Sequence, residues 1–541
     1  MKKVFYALIF STILFSCAKD NLVDNNNIIG SEGVTSDAEA LALANAVFGP
    51  LQTLSSSYSF LLESGTESTI SFEGTEDKDG PLVSRFETAP GNWYAVKVFS
   101  RLYKSIGAAN LAIEKISSAD TSDVKQSTKN LTIARAKFIR AYSYFNLVQL
   151  FGEVPLILSS SSTDKTRASI DNVYTQIVKD LTEAKTYLPA VDNNKSNPSK
   201  GAANTILAKV YLTWGQNPLT QAQIEAIATG TSDPAHSIDN SKLEKAVAFA
   251  DSVISSGNYQ LLTDFNANFG RAQENGKEHI FTIQHYGDGI DAQGNHQTHC
   301  SFTNKFDLLT DNHIGPADTT LINRFSDYDL RKKYSYATVL INPVDLKKYY
   351  FSWPVTTSRY GKFIHRASVG SDLTVDAQPN DIDHIDFRYA EVLLIKSEAL
   401  FFLERTSEAL PLINQLRQRA FGNTQNNLST LTKEGLYKEW DLEFTYEQKH
   451  WTNLVRWRIL ISTVKTVNGF EYFKDKYASE TSITSNFTGL NVNVAFFAKV
   501  YKHLHSKYDN VKGRFYRFPI PLGEKGEDLG IIPQNPGYQN Q

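Results

Sequence analysis

The chain has 541 residues, 41% hydrophobic and 21% charged, with a formal net charge of −3; this is the balance of a globular protein, and its length exceeds one ordinary core, so two intimately packed halves or one large helical body are expected. Near-neutral charge without a long basic block excludes a nucleic-acid-binding protein, which needs a concentrated positive surface. Only two cysteines occur, Cys17 and Cys300, which excludes a disulfide framework; Cys300 reads as a small buried hydrophobe.

The first element is a leader. Lys2 and Lys3 precede an apolar run from Val4 to Phe15, too short to span a bilayer comfortably but right for a secretory signal. Leu14-Phe15-Ser16-Cys17 resembles the lipobox of bacterial lipoproteins. The expectation is a signal peptide over 1–16, lipid on Cys17, and a flexible, Asn-rich tether over 17–36 that cannot bury enough surface to fold. Several acyl chains on one residue anchor stably where a single chain does not. Lys19-Asp20, just after the lipid cysteine, resembles the signal that sends such lipoproteins to the cell surface.

Beyond the tether, helical periodicity dominates. Ala134, Phe138, Ala141, Phe145 and Val148 form one stripe within 131–150; Val173, Ile177, Leu181, Ala184 and Leu188 form another, stopped by Pro189. Leu243, Val247, Ala250 and Ile254 form a third, and 389–403 with 408–421 read as a helix pair. Such pairs resemble tetratricopeptide repeats without their strict signature. The predicted fold is therefore mainly α: a degenerate tetratricopeptide-like helix-pair scaffold with long irregular loops and minor short strands, divided into an N-terminal half (37–215) and a C-terminal half (216–541) packed as one body. The stretches 63–92 and 264–385 lose the helical period and carry the loops; 347–353 could hold a short strand.

Signatures of catalysis are missing. No Gly-rich phosphate loop, His-Glu-x-x-His, Cys-x-x-Cys or Gly-x-Ser-x-Gly occurs, and no cofactor is implied. His285, His296 and His299 beside Cys300 match no standard metal spacing and read as solvated or hydroxyl-bonding. Glu439, Glu443 and Glu447 share one helix face; with Arg456 and Arg458 nearby, they read as a structural ion-pair network rather than the acid/base pair of a glycosidase.

A series of local patterns carries a resemblance. Trp93, Tyr103, Ile106, Ala109 and Asn110; Ala134 to Phe145; Gly152-Glu153-Val154-Pro155-Leu156; Arg167 to Leu188; Phe387 to Ala399; Ile413 to Ala420; Glu443 to Trp457; Pro519-Ile520-Pro521; and Gln534 to Tyr538 are similar, in order, to the motifs of the SusD/RagB family. Lys396-Ser397 and Asn453 depart from its usual residues. The resemblance implies a cell-surface, outer-membrane lipoprotein that caps a SusC-like TonB-dependent transporter and captures glycans for import. Its alternatives are peptide capture of the RagB kind and a surface glycoside hydrolase.

A glycan site needs an exposed flat aromatic with polar groups around it. Helical rings are expected to be buried, which sets Trp93 aside as scaffold, so the aromatics of the irregular segments are the choice. Trp353, before Pro354, leads; Tyr286, beside His285 and Asp288, Phe72, with Arg85 as a donor, and Tyr360, after Arg359, follow.

Overall fold

The computed structural model describes residues 33–71, 78–270, 273–285, 314–316, 319–337, 339–341, 348–350, 359–360, 362, 366–369, 372–375, 382–466, 503–521 and 532–539. The scaffold is carried by α1 (Asp37–Ala46), α2 (Trp93–Ser118), α3 (Gln126–Phe151), α4 (Ile170–Tyr187), α5 (Lys200–Gly215), α6 (Asn240–Ile254), α7 (Tyr389–Phe402), α8 (Thr406–Phe421), α9 (Lys433–Glu443) and α10 (His450–Trp457). The three stripes read from the sequence fall in α3, α4 and α6, Leu188 standing just past the end of α4 as its C-cap, and the expected pair is α7 and α8.

Local chemistry sets the helix ends. Asn92, Ser169, Ser199 and Asp239 accept backbone N–H bonds in the first turns of α2, α4, α5 and α6, satisfying donors that the helix itself cannot. The α3 helix ends on Gly152, whose φ of +76° is open to glycine and strained for other residues. A Cβ there would also collide with the Arg517 guanidinium.

Each helix from α2 to α8 packs against the next one in the array, α2 on α3, α3 on α4, α4 on α5, α5 on α6, α6 on α7 and α7 on α8. This stacking is how helix-pair solenoids bury apolar faces that no pair could bury alone. One step is not local, because a long insertion separates Ile254, the end of α6, from Tyr389, the start of α7. Strand β1 (His279–Ile283) pairs antiparallel with β2 (His384–Arg388), so this insertion leaves and returns at one point, and β2 runs directly into α7. One hydrophobic core extends from Val34 to Ile532.

The insertion is built from short pieces. Lys348–Tyr350 is a strand, as the sequence suggested, antiparallel to Val339–Ile341; Arg366–Val369 and Asp372–Val375 complete that four-stranded sheet. A separate pair, Thr69–Ser71 with Ile314–Pro316, brings the early irregular segment and the insertion together.

Candidate ligand-binding surface

Thr69 opposite Pro316 marks the seam between the two segments that the sequence singled out. The helix Asp79–Ser84 packs beside it, and the Ser71 backbone N–H donates to Ser84 Oγ at 3.2 Å. Arg85 caps that helix. Its Nε donates to Glu87 Oε2 at 3.0 Å, while the Asn510 amide donates to the Arg85 carbonyl at 3.0 Å and to Glu87 Oε1 at 3.1 Å. Arg85 is therefore held in place, partly exposed, near the strand that ends at Ser71.

The same helix is tied to the start of α2. Asn92 Nδ2 donates to the Asp79 carbonyl at 3.1 Å and to Asp79 Oδ1 at 3.2 Å. The next residue is Trp93, which is 48% exposed. This corrects the sequence expectation that set Trp93 aside. A ring on the first turn of a helix need not point to the core, because here it is Tyr94 that does so: it stacks on Phe60 at 4.2 Å and leaves Trp93 outside. Lys97 Nζ lies 4.5 Å from the indole centroid and Tyr94 meets its edge at 5.0 Å, fixing the pose of the ring. A fixed, half-open indole offers a flat face on which the apolar side of a sugar can stack.

Of the other expected site residues, Tyr360 lies in a strand, opposite Tyr336. Trp353, Tyr286 and Phe72 lie outside the described residues, as do His296, His299, Cys300 and Cys17. His285 is described and is buried, not solvated; its backbone N–H donates to Asp383 Oδ1 at 3.1 Å.

The carboxylates of α9 and the following turn do form a structural network, but with other partners than expected. Arg388 Nη1 reaches Glu443 Oε1 at 2.5 Å and Glu278 Oε1 at 2.9 Å. Arg331 bridges Glu439 at 2.6 Å and Glu443 at 3.0 Å, and Lys362 reaches Glu447 at 2.6 Å. Arg456, expected in this network, instead makes a two-point bond to Glu398, each arm 2.8 Å. Spacing along α9 and α10 could not show this, because the partners arrive from β2, α8 and the insertion. Burial would raise Glu443, but Arg419, Arg388 and Arg331 outweigh burial and hold it well below the usual carboxylate range, so it has no proton to give as a general acid.

Two further carboxyls have divergent affinities, the pattern of an acid/base pair. Burial pushes Glu63 up to about 7. Glu67 is brought down to about 2, since His450 and Arg324 more than offset its burial. Both are sequestered in structural bonds: Glu63 Oε1 accepts the Gln448 backbone N–H at 2.6 Å, and Glu67 accepts from His450 at 2.9 Å.

The profile of the SusD family matches residues 265–538, just over half of the chain. This protein belongs to the SusD family. A second profile of the same group, described as starch-binding and associating with the outer membrane, matches residues 78–212, which include Arg85 and Trp93. The chain is 26% identical to SusD-like protein P2 of Formosa agariphila, over 88% of this chain and 87% of that one. Among solved structures it is similar to a SusD homolog of Bacteroides thetaiotaomicron, with TM-score 0.70 at 22% identity, covering 94% of this chain and 98% of that one. It is also similar to surface glycan-binding protein A of the same species, solved in complex with laminarihexaose, with TM-score 0.65 at 16% identity, covering 93% and 100%. These SusD relatives share its helical architecture, and those named for an action are named as binding proteins. No helix among the described residues is long and apolar enough to cross a membrane.

Proposed function

We propose that this SusD-family protein captures glycans at the outer-membrane surface and delivers them to a SusC-like TonB-dependent transporter, and that it is a binding protein without catalytic activity. The observation that carries the reading is Trp93, an indole held half-open on the first turn of α2 against Tyr94 and Lys97. The laminarihexaose complex of a protein with the same fold supports a saccharide as ligand. Tyr360, Trp353, Tyr286 and Phe72, aromatics of the irregular stretches of the sequence, are proposed as further contacts. A lipid on Cys17 holds the protein beside its transporter, which raises their local concentration, and the contact between them is of the obligate size, above roughly 2,000 Å².

Titration calorimetry of the leaderless protein against laminarin, maltooligosaccharides, other polysaccharides and a peptide pool tests the reading. One glycan class binds saturably without being cleaved, and Trp93→Ala weakens it by about 1–3 kcal/mol, the range of stacking on an aromatic platform, while the melting temperature stays nearly constant. Binding of peptides alone, cleavage of the glycan, or unchanged affinity in Trp93→Ala would overturn it.

A further inference from the structure

Among the described residues, one large group of inward-facing charges is matched. Arg331, Lys362, Arg388, Arg417 and Arg419 face Asp329, Glu278, Glu439, Glu443 and Glu447, five cations against five carboxylates. Buried cations bonded only to backbone carbonyls occur elsewhere too, as Lys507 is to those of Ser64, Thr66 and Thr69, but one cleft gathers three arginines. It is a partly open cleft between α10, α4 and the 513–518 segment, and Arg456, Arg458 and Arg517 all line it.

Two of the three are matched. Arg456 is held by Glu398. Arg517 pairs with Glu153, which Arg167 also approaches at 3.7 Å. Arg458 is 5% exposed, yet its guanidinium bonds only to backbone carbonyls, those of Asn217 at 2.7 Å and Val455. No carboxylate among the described residues pairs with it. The buried phenol of Tyr174, on the same cleft, feels all three guanidiniums, so the positive charges converge.

A guanidinium cannot shed its proton to escape burial, and an uncompensated buried charge is costly. Burial above all brings Arg458 down to about 10, with Tyr516 and Tyr174 pulling it up and the neighbouring Arg517 pushing it down. The backbone adds a second cost. Arg458 ends α10 at a φ of +59°, the left-handed region that glycine takes without strain. The chain thus keeps a long cationic side chain at a place where both the backbone and the electrostatics disfavour it.

We infer that this cleft is an anion site, with Arg458 as the group that binds a small oxyanion or carboxylate. The planar fork of a guanidinium matches such a group at two points, and the net positive lining supplies the attraction. The anion has two possible sources with the same chemistry: a free inorganic or carboxylate ion acting as counter-ion, or the acid group of a uronic-acid sugar.

The test uses the whole leaderless chain. Thermal unfolding is followed in rising sodium phosphate, sodium acetate or sodium glucuronate, with ionic strength held constant by sodium chloride. Arg458→Gly relieves the left-handed backbone and is expected to fold. The wild-type melting temperature rises saturably, and the apparent affinity falls by at least about tenfold in Arg458→Gly. A bromide-soaked crystal shows an anomalous peak within hydrogen-bond distance of the Arg458 guanidinium. A response to phosphate and acetate identifies a free counter-ion, and one to glucuronate alone an acidic sugar. An equal response in Arg458→Gly, no saturable response in the wild type, or no peak at Arg458 would overturn the inference.

Discussion

Arg388 and Glu447 meet in a two-point hydrogen bond, Nε to Oε2 and Nη2 to Oε1, both at 2.8 Å, with both side chains withdrawn from solvent. The bond joins the last residue of β2 to the turn before α10, and so fixes where the long insertion re-enters the helical array. Removing one partner leaves the other carboxylates buried without their cation. Arg388→Met is expected to cost about 3–5 kcal/mol of unfolding free energy, read by guanidinium denaturation. Adding Glu447→Gln should recover part of the loss, because the two residues share one network. A loss below about 1 kcal/mol would mean that the cluster is solvated.

Gly152 carries two constraints at once, its positive φ and the Arg517 guanidinium packed where a Cβ would go. Relaxing the strain means moving Arg517 away from Glu153 and the Leu219 carbonyl, which it bonds. Gly152→Ala should therefore lower stability by more than the roughly 1–2 kcal/mol of a left-handed alanine alone, visible as a drop in melting temperature. A neutral Gly152→Ala variant would show that the Arg517 contact yields without cost.

The Glu63 carboxyl gives stability a pH dependence of defined sign. Burial raises it to about 7 from the ordinary 4.5. Between those values the folded protein keeps a proton that the unfolded chain has lost. Stability is therefore full below 4.5 and falls as pH rises through 7, by about 3 kcal/mol if the whole shift is realised. Glu67 acts on the other side: its folded value of about 2 contributes stability above 4.5 that is lost as pH falls towards 2. Glu63→Gln keeps the bond to Gln448 without ionising, so its melting temperature should fall less than the wild type's between pH 5 and 8, in a buffer series at about constant ionic strength. Parallel curves for the two proteins would exclude Glu63 as the source.

Cys17→Ala should move the protein from the membrane fraction to the soluble fraction, since the lipid is the proposed anchor and no helix among the described residues can span a bilayer. Fractionation with a carbonate wash reads the outcome. Retention of the variant on membranes in the absence of the transporter would remove the anchoring role.

What the sequence determined by itself was local. The stripes at 134–148, 173–188 and 243–254 placed α3, α4 and α6 because a helix repeats every 3.6 residues and needs no distant partner to show it. Pro189 marked a helix end because proline cannot continue a helix, and the ordered motifs from Trp93 to Tyr538 pointed to the SusD family. Only the tertiary structure decided which charges pair and which rings face water. Glu443 looked to Arg456 and Arg458 along its own stretch of chain, but Arg388 and Arg331 arrive from the insertion, whose return path no local pattern encodes. Trp93 carried the signature of a scaffold ring, and it stays open because Tyr94, one residue on, takes the inward position against Phe60. Exposure and ion pairing depend on what the rest of the chain brings to a residue, and that is settled by packing rather than by period.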